Sequence, residues 1–316
     1  MDLPAGYRLR SPHPDELRAV AGVLIADELA DGGEVVLGED FLRGAWSRSD
    51  FDLASDAWVV VDGTDTILGY AQARLDAPTV VESWGVVHPA HRGLGAGTSL
   101  FDRTEERASR LIDGMAGRFR HSVNAGDGAA AAMLRGRGLR PVRHFWHMQI
   151  DLRGPVEAGA VPDGIEIAAI DAPGDLPVVH AILVDAFADD LGHDPEPFDR
   201  WVEEEATGPR FDPTLWLLAK EGDEPVGALT ASLSGDRAWV DYLAVRASHR
   251  GRGAGAALLR HSFAVLGRPG VNRVLVNVDA GNTTGATALY ERVGMRIVKR
   301  WDLWERSFTA TPSSHP

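Results

Sequence analysis

The chain of 316 residues contains no cysteine. This excludes disulfides, thiolate metal sites and an enzyme-bound thioester, so acyl transfer would have to proceed without a cysteine nucleophile. No other metal-ligating pattern is read, and no metal is expected. The chain also lacks a basic block. Its formal net charge is −14, whereas a duplex-binding face needs clustered cations, so nucleic acid is not an expected partner. No apolar run approaches the roughly 18 residues of a membrane span. The first residues, MDLPAGYRLRSPHP, have neither the basic start nor the apolar core of a secretory signal. The expectation is a cytoplasmic protein without a membrane partner, as a monomer or homodimer.

What is present is ordinary for a folded enzyme: 44% apolar and 25% charged residues. The length suits two domains, and the acidic balance mildly favours cationic substrates such as amines.

Two glycine-rich segments align without a gap. ESWGVVHPAHRGLGAGTSLF (82–101) and VDYLAVRASHRGRGAGAALL (240–259) match at an offset of 158, with His91, Arg92, Gly93, Gly95, Ala96 and Gly97 answering His249, Arg250, Gly251, Gly253, Ala254 and Gly255. Upstream, Trp58 matches Trp216, Gly69 matches Gly227 and Tyr7 matches Ile165 on the same register; downstream, Gly138 matches Gly294 after a slip to about 156. Several segments on one register indicate a duplication. LRGPVEAGAVPDG (152–164) has the composition of a linker, which predicts domains at 1–153 and 154–316. TATPSSHP at the end reads as a solvated tail.

In the second half, IEIAAI reads as a strand, 176–187 and 195–206 as helices, 215–235 as a hairpin and AWVDYLAV as a buried strand. A helix is predicted at 255–267, with Ala256, Leu259, Phe263 and Leu266 on its apolar face. VNRVLVNVDA, a helix at 282–293 capped by Gly294, and a closing strand MRIVKRWDLWER follow. The first half repeats this order.

The loop RGRGAG joins a strand to a helix. Alternating glycines permit positive φ and close approach of a ligand, and the helix N-terminus offers unpaired amides, so the loop suits a pyrophosphate. Arg250 and Arg252 can add charge at its rim. Gly251, Gly253 and Ala256 also satisfy the G-x-G-x-x-G/A dinucleotide pattern. That pattern normally follows the first strand of its fold, however, and here four strands precede the loop. A P-loop would need a lysine after its last glycine, and none is present. A tight turn without a ligand is the remaining alternative.

The pattern Arg-Gly-x-Gly-x-Gly after Leu-Ala-Val resembles motif A of the GNAT superfamily of acetyltransferases, and the element order is similar to that fold. The resemblance covers both halves. It implies an α/β (α+β) protein of two tandem GNAT-like domains, each with a central mixed, mostly antiparallel sheet flanked by helices. It also implies acetyl-CoA as cosubstrate and a small-molecule primary amine as acceptor, acetylated by direct attack in a ternary complex. A non-enzymatic acyl-CoA-binding or scaffold protein, or an enzyme using another acyl-CoA, is the alternative.

Carried over from the family, the amides of Arg250, Gly251, Gly253, Gly255 and Ala256 would hold the pyrophosphate, with Arg252 and Ala254 in the same cofactor site, and Leu243, Ala244 and Val245 would pair with the pantetheine arm. Asn282 matches a cofactor contact. Tyr290 matches the tyrosine that protonates the departing thiolate. The eight-residue spacing would put Asn282 and Tyr290 on one helix face. Asp241 is the first candidate for the base and His193 the second. Phe187, Asp189, Asp190, His193, Phe198 and Trp201 are expected around the acceptor, although aromatic residues at helical spacing also suit a core.

The first half keeps Val86, Val87, Arg92, Gly93, Gly95 and Gly97, so cofactor binding is expected there as well. Its tyrosine is replaced by Leu134 or Arg135, depending on the slip, and its strand aspartate by Ser83 beside Glu82. The first half is therefore expected to be non-catalytic.

Overall fold

The computed structural model describes residues 3–32, 35–154, 156–188, 197–208, 210–268, 270–282 and 285–309. Asp189, Asp190 and His193 lie outside the described residues, as do the last seven residues of the tail. The chain divides into two compact units, Met1–Phe145 with Val298–Pro316, and Trp146–Ile297.

The first unit runs β1 (Arg8–Arg10), α1 (Leu17–Gly32), α2 (Glu39–Trp46), α3 (Leu53–Asp56), β2 (Ala57–Val61), β3 (Ile67–Ala77), β4 (Val80–Val87), α4 (Ala96–Ile112), β5 (Gly117–Asn124) and α5 (Gly128–Gly136). β6 (Arg140–Asp151) carries the chain into the second unit. There follow β7 (Ile165–Ala169), α6 (Leu176–Phe187), α7 (Phe198–Glu205), β8 (Leu217–Glu221), β9 (Glu224–Ser234), β10 (Arg237–Val245), α8 (Ala254–Leu266), β11 (Arg273–Asp279), α9 (Ala286–Arg292) and β12 (Arg296–Phe308).

Both units have the expected fold class. In the first the strand order is β1-β2-β3-β4-β5-β12, and in the second β7-β8-β9-β10-β11-β6. β4 and β5, like β10 and β11, run parallel; the neighbouring pairs β1–β2, β2–β3, β3–β4, β7–β8, β8–β9 and β9–β10 are antiparallel. The hairpins follow from turn chemistry. Glu221 pairs with Glu224 and Ser234 with Arg237 across two-residue turns whose first residues, Gly222 and Gly235, both have φ of 61°.

The closing strands differ from the sequence expectation. MRIVKRWDLWER does not finish the sheet of its own repeat. From Trp301 to Phe308 it pairs antiparallel with β5 of the first unit, and β6 takes the place beside β11 in the second. The repeats have exchanged their last strands. Alternating apolar residues specify that such a strand is half-buried, not which of two related sheets receives it.

In the second unit one core spans the sheet and its helices. Leu258, Leu259, Phe263 and Leu266 of α8 and Val179, Ile182 and Leu183 of α6 join Ala231, Val240, Val274 and Val276. Burying each large aliphatic or aromatic side chain contributes about 1.5–3 kcal/mol, so this core stabilises the sheet from which the loop emerges.

Candidate active site

The glycine loop follows β10 and ends at α8. Gly251 and Gly253 have φ of 75° and 94°, the left-handed region where a side chain is strained. A Cβ on Gly253 would also meet Pro162 Cγ at 3.1 Å, and one on Gly255 would meet Leu289 Cδ2 at 3.2 Å. The first hydrogen bond into the helix is Ala257 N–H to the Gly253 carbonyl, 3.0 Å. Among the described residues no hydrogen bond engages the amides of 251–253, and the first amides of α8 are the orphan donors of a helix N-terminus. These open donors fit an anionic diphosphate.

The side chains of both arginines have partners within the protein. Arg250 donates from Nε to the Val245 carbonyl (3.1 Å) and from Nη2 to the Ala186 carbonyl (2.9 Å). Arg252 is paired with Glu221 at 2.5 Å and 3.1 Å, and His249 Nε2 shares that carboxylate at 3.1 Å. The carboxylate bound to Arg252 is held below the ordinary range chiefly by that hydrogen bond. An anion at this loop would therefore be met first by backbone amides and the helix dipole, with the Arg250 charge, which among the described residues only neutral carbonyls contact, nearby.

β10 departs from regular pairing at two points. Its parallel pairing with β11 runs from Arg237–Arg273 to Val240–Val276 and stops, while both strands continue. Leu243, Ala244 and Val245 pair with Leu229, Ala228 and Gly227 on one side and have no ladder partner on the β11 side among the described residues. An extended ligand arm bearing amides suits that free edge.

The second point is a bulge. Val240 faces Ala231, Tyr242 faces Thr230, and Asp241 is the extra residue between them. Asp241 is part-buried and its Oδ1 accepts from Ser232 Oγ at 3.1 Å. Burial pushes its carboxyl up to about 7; the Ser232 bond and Arg210 oppose that rise, and Glu205 adds to it. The Tyr242 amide donates to Thr230 Oγ1 at 3.1 Å and pins the strand beyond the bulge. Thr230, Ser232, Glu205 and Arg210 were not singled out from sequence. Counting back from the Gly235 turn would have brought Ser232 opposite Trp239, but nothing in the pattern announces the bulge.

Tyr290 lies on α9 and is 5% exposed. Burial raises its phenol well above the usual range, so it stays protonated at neutral pH. Asn282 does not share a helix face with it, because α9 starts only at Ala286. Asn282 instead follows a turn in which Asp279 Oδ1 accepts from Gly281 N–H (2.8 Å) and the Asp279 carbonyl from Asn282 N–H (3.1 Å). Of the expected acceptor residues, Phe187 packs edge-on against Tyr242 with ring centroids 6.1 Å apart. Trp201 is a core residue, 5% exposed, against Trp216 at 5.6 Å, and Phe198 stacks on it at 6.2 Å.

The sequence profile of the acetyltransferase (GNAT) family matches residues 28–138 and again 178–295. The chain belongs to the GNAT acetyltransferase family.

As a tandem GNAT protein it is an N-acetyltransferase, of a family that uses acetyl-CoA. It is similar to mycothiol acetyltransferase of Streptomyces scabiei, 30% identical over 323 residues that cover 97% of each chain. The enzyme of that name from Streptomyces avermitilis is 29% identical over 243 residues, 75% of each chain. Among solved structures, a GCN5-related N-acetyltransferase from Sphaerobacter thermophilus superposes with TM-score 0.85 at 32% identity, covering 97% of both chains. A tandem GNAT protein from the clavulanic acid biosynthesis pathway shares the fold, with TM-score 0.70 at 19% identity over 98% of this chain and 100% of that one.

The first GNAT unit keeps the loop geometry, with Gly93 and Gly95 at φ of 78° and 86°, and Val86 and Val87 paired to β3. Its arginine differs: Arg92 binds Asp27 (2.6 Å) and Asp31 (3.1 Å) of α1. Its strand differs too. Ala73 faces Ser83 and Gln72 faces Trp84 with no extra residue between. Since Ala73 and Gln72 correspond to Ala231 and Thr230, Ser83 stands where Val240 stands, and Asp241 has no counterpart. A gap-free alignment pairs Ser83 with Asp241 because it cannot register a one-residue bulge. Ser83 Oγ lies 2.6 Å from His121 Nδ1, and burial lowers that imidazole to about 3, so the pair is neutral.

Proposed function

We propose that the second unit transfers the acetyl group of acetyl-CoA to a small-molecule primary amine by direct attack in a ternary complex. The observation that carries this reading is Asp241, a carboxyl brought to about 7 at a bulge in the strand that leads to the amide loop.

An ammonium of pKa about 10 must lose a proton before it attacks. At its ordinary 3.8 a carboxylate would be about a millionfold too weak a base for that transfer; at about 7 the gap narrows to about a thousandfold. Asp241 then accepts the proton, and the amine lone pair forms the C–N bond at the thioester carbonyl. The C–S bond breaks as the tetrahedral adduct collapses, Tyr290 O–H protonates the departing thiolate, and the second proton lost by the former amine nitrogen restores the tyrosine. The loop amides of 250–256 hold the diphosphate, and the free edge at Leu243–Val245 orients the arm. The first unit, lacking both the bulge carboxylate and the tyrosine, completes the chain without a catalytic role.

The relatives named mycothiol acetyltransferase make the des-acetyl form of mycothiol the first acceptor to try in an amine panel with acetyl-CoA and thiol detection. Turnover that survives Asp241→Asn and Tyr290→Phe but not changes in the first unit would overturn the assignment.

A further inference from the structure

The arginine that opens the glycine loop directs its guanidinium at two backbone carbonyls. Its Nε donates to the carbonyl of Val245, the last residue of β10, at 3.1 Å, and its Nη2 to the carbonyl of Ala186 on α6 at 2.9 Å. Ala186 precedes Phe187, whose ring meets Tyr242, and Tyr242 follows Asp241. One guanidinium thus spans the loop, the strand end and the helix that borders the bulge.

The last turn of α6 contains no basic residue, although a helix C-terminus leaves carbonyls unpaired and favours a nearby cation. Among the described residues, the cations that meet that turn, Arg246 and Arg250, come from the segment entering the loop. Arg250 takes the Ala186 carbonyl, and Arg246 lies 3.5 Å from Asp185 while its Nε holds the Pro225 carbonyl at 2.8 Å. In the first unit Arg92 makes the equivalent tie to α1, but through two carboxylates, so its charge is neutralised there. The tie between loop arginine and first helix occurs in both repeats. Only in the second does it run through neutral carbonyls that a rearranging loop can tighten or release.

We infer that Arg250 is a positioning residue that couples occupancy of the glycine loop to the last turn of α6, and through Phe187 and Tyr242 to the acceptor side of Asp241. This rests on the reading that the loop holds the diphosphate of CoA. Filling the loop fixes the backbone at Arg250; the guanidinium then fixes Ala186, and the aromatic wall beside the bulge follows. Lysine keeps the charge but lacks the planar fork whose separate Nε and Nη2 atoms reach the two carbonyls, so a single ammonium nitrogen does not reproduce that bridge.

The test uses the full chain with CoA as the probe, reading deuterium uptake across 183–188 and CoA affinity by calorimetry. In the wild type, CoA should slow exchange in that stretch by about fivefold or more, the scale of a modest coupling. Arg250→Lys and Arg250→Gln should both abolish that protection while keeping CoA affinity within about tenfold, since the amides remain. If Arg250→Lys retains full protection, or if Arg250→Gln alone loses CoA affinity in a salt-dependent way with 183–188 unchanged, the side chain is a phosphate ligand and the inference fails. If wild-type protein does not bind CoA, the functional reading fails and this inference with it; binding without protection overturns the inference alone.

Discussion

Leu134 occupies in the first unit the place that Tyr290 holds in the second. The Leu139 amide donates to the Leu134 carbonyl at 3.0 Å, just as the Met295 amide donates to the Tyr290 carbonyl at 3.0 Å. The neighbouring cap repeats as well, with Arg137 N–H directed at Met133 and Leu134 and Val293 N–H at Leu289 and Tyr290. This register resolves the one-residue slip left open by sequence in favour of Leu134 rather than Arg135. Leu134 is fully buried and carries no proton to donate.

Tyr290→Phe should keep the ring packing and lose the acid. We expect kcat to fall by about 10²–10⁴, the usual range for a general acid, with CoA affinity by calorimetry little changed. An unaltered kcat at saturating substrates would remove Tyr290 from proton transfer.

The pH profile follows from Asp241. The group must be ionised to accept a proton, so kcat/KM should rise with pH and level off above about 7. Below that, the rate should drop about tenfold for each further pH step. Asp241→Asn should lower the plateau and remove this limb. A profile flat from pH 5 to 8 would mean that Asp241 is not the base.

The same carboxyl affects stability, and the sign is the reverse of a salt-bridged aspartate. A folded pKa of about 7 against an ordinary 3.8 means that the folded state holds the proton more tightly. Stability therefore falls as pH rises from about 4 to about 7 and is constant above, a loss of at most roughly 4 kcal/mol. Asp241→Asn should melt higher than wild type at pH 8 and equal to it near pH 4. A lower melting temperature for the variant at pH 8 would contradict the burial argument.

Much of this was readable beforehand, and the exceptions have physical causes. The loop glycines, α6 at 176–187 and the closing Gly294 with φ of 96° are where periodicity and turn chemistry put them. Those signals are local. The bulge at Asp241 was not visible, because it is a relation between two strands, and a gap-free repeat disguised it as a substitution by Ser83. The side-chain destinations of Arg250 and Arg252 were missed for a similar reason: a motif specifies backbone shape, and the partners, Ala186 and Glu221, are distant in sequence. Trp201 shows the converse, since helical spacing alone does not separate a core face from a ligand wall.

Gly253→Ala tests the loop. The residue sits at φ of 94° with Pro162 Cγ 3.1 Å from where a Cβ would go, so the substitution meets both strain and a neighbour. We expect a loss of about 1–2 kcal/mol in CoA binding by calorimetry. Gly251→Ala at φ of 75° carries the strain but meets open space, and should cost less. Equal and negligible effects would show that the loop reshapes freely.

Trp304 belongs to the second repeat by sequence and to the first unit by structure. It is 2% exposed in the cluster that includes Phe101, Phe119 and Leu134. Trp304→Ala should therefore cost about 3–5 kcal/mol in the first unit. Hydrogen exchange should accelerate in α4 and β5 while α8 and β11 keep their protection. The opposite pattern would place β12 with its own repeat.

The exchange of last strands also bears on how such a chain can be inherited. A gene cut at the linker would encode two polypeptides, each carrying a strand that the other's sheet requires. Neither would be a self-sufficient copy of the ancestral enzyme. With the strands exchanged, loss of the first half would also remove a strand from the second unit's sheet. The first unit would then persist by descent even if it never binds a ligand, because the second unit's sheet is completed by a strand, Trp146–Asp151, that only the upstream repeat encodes.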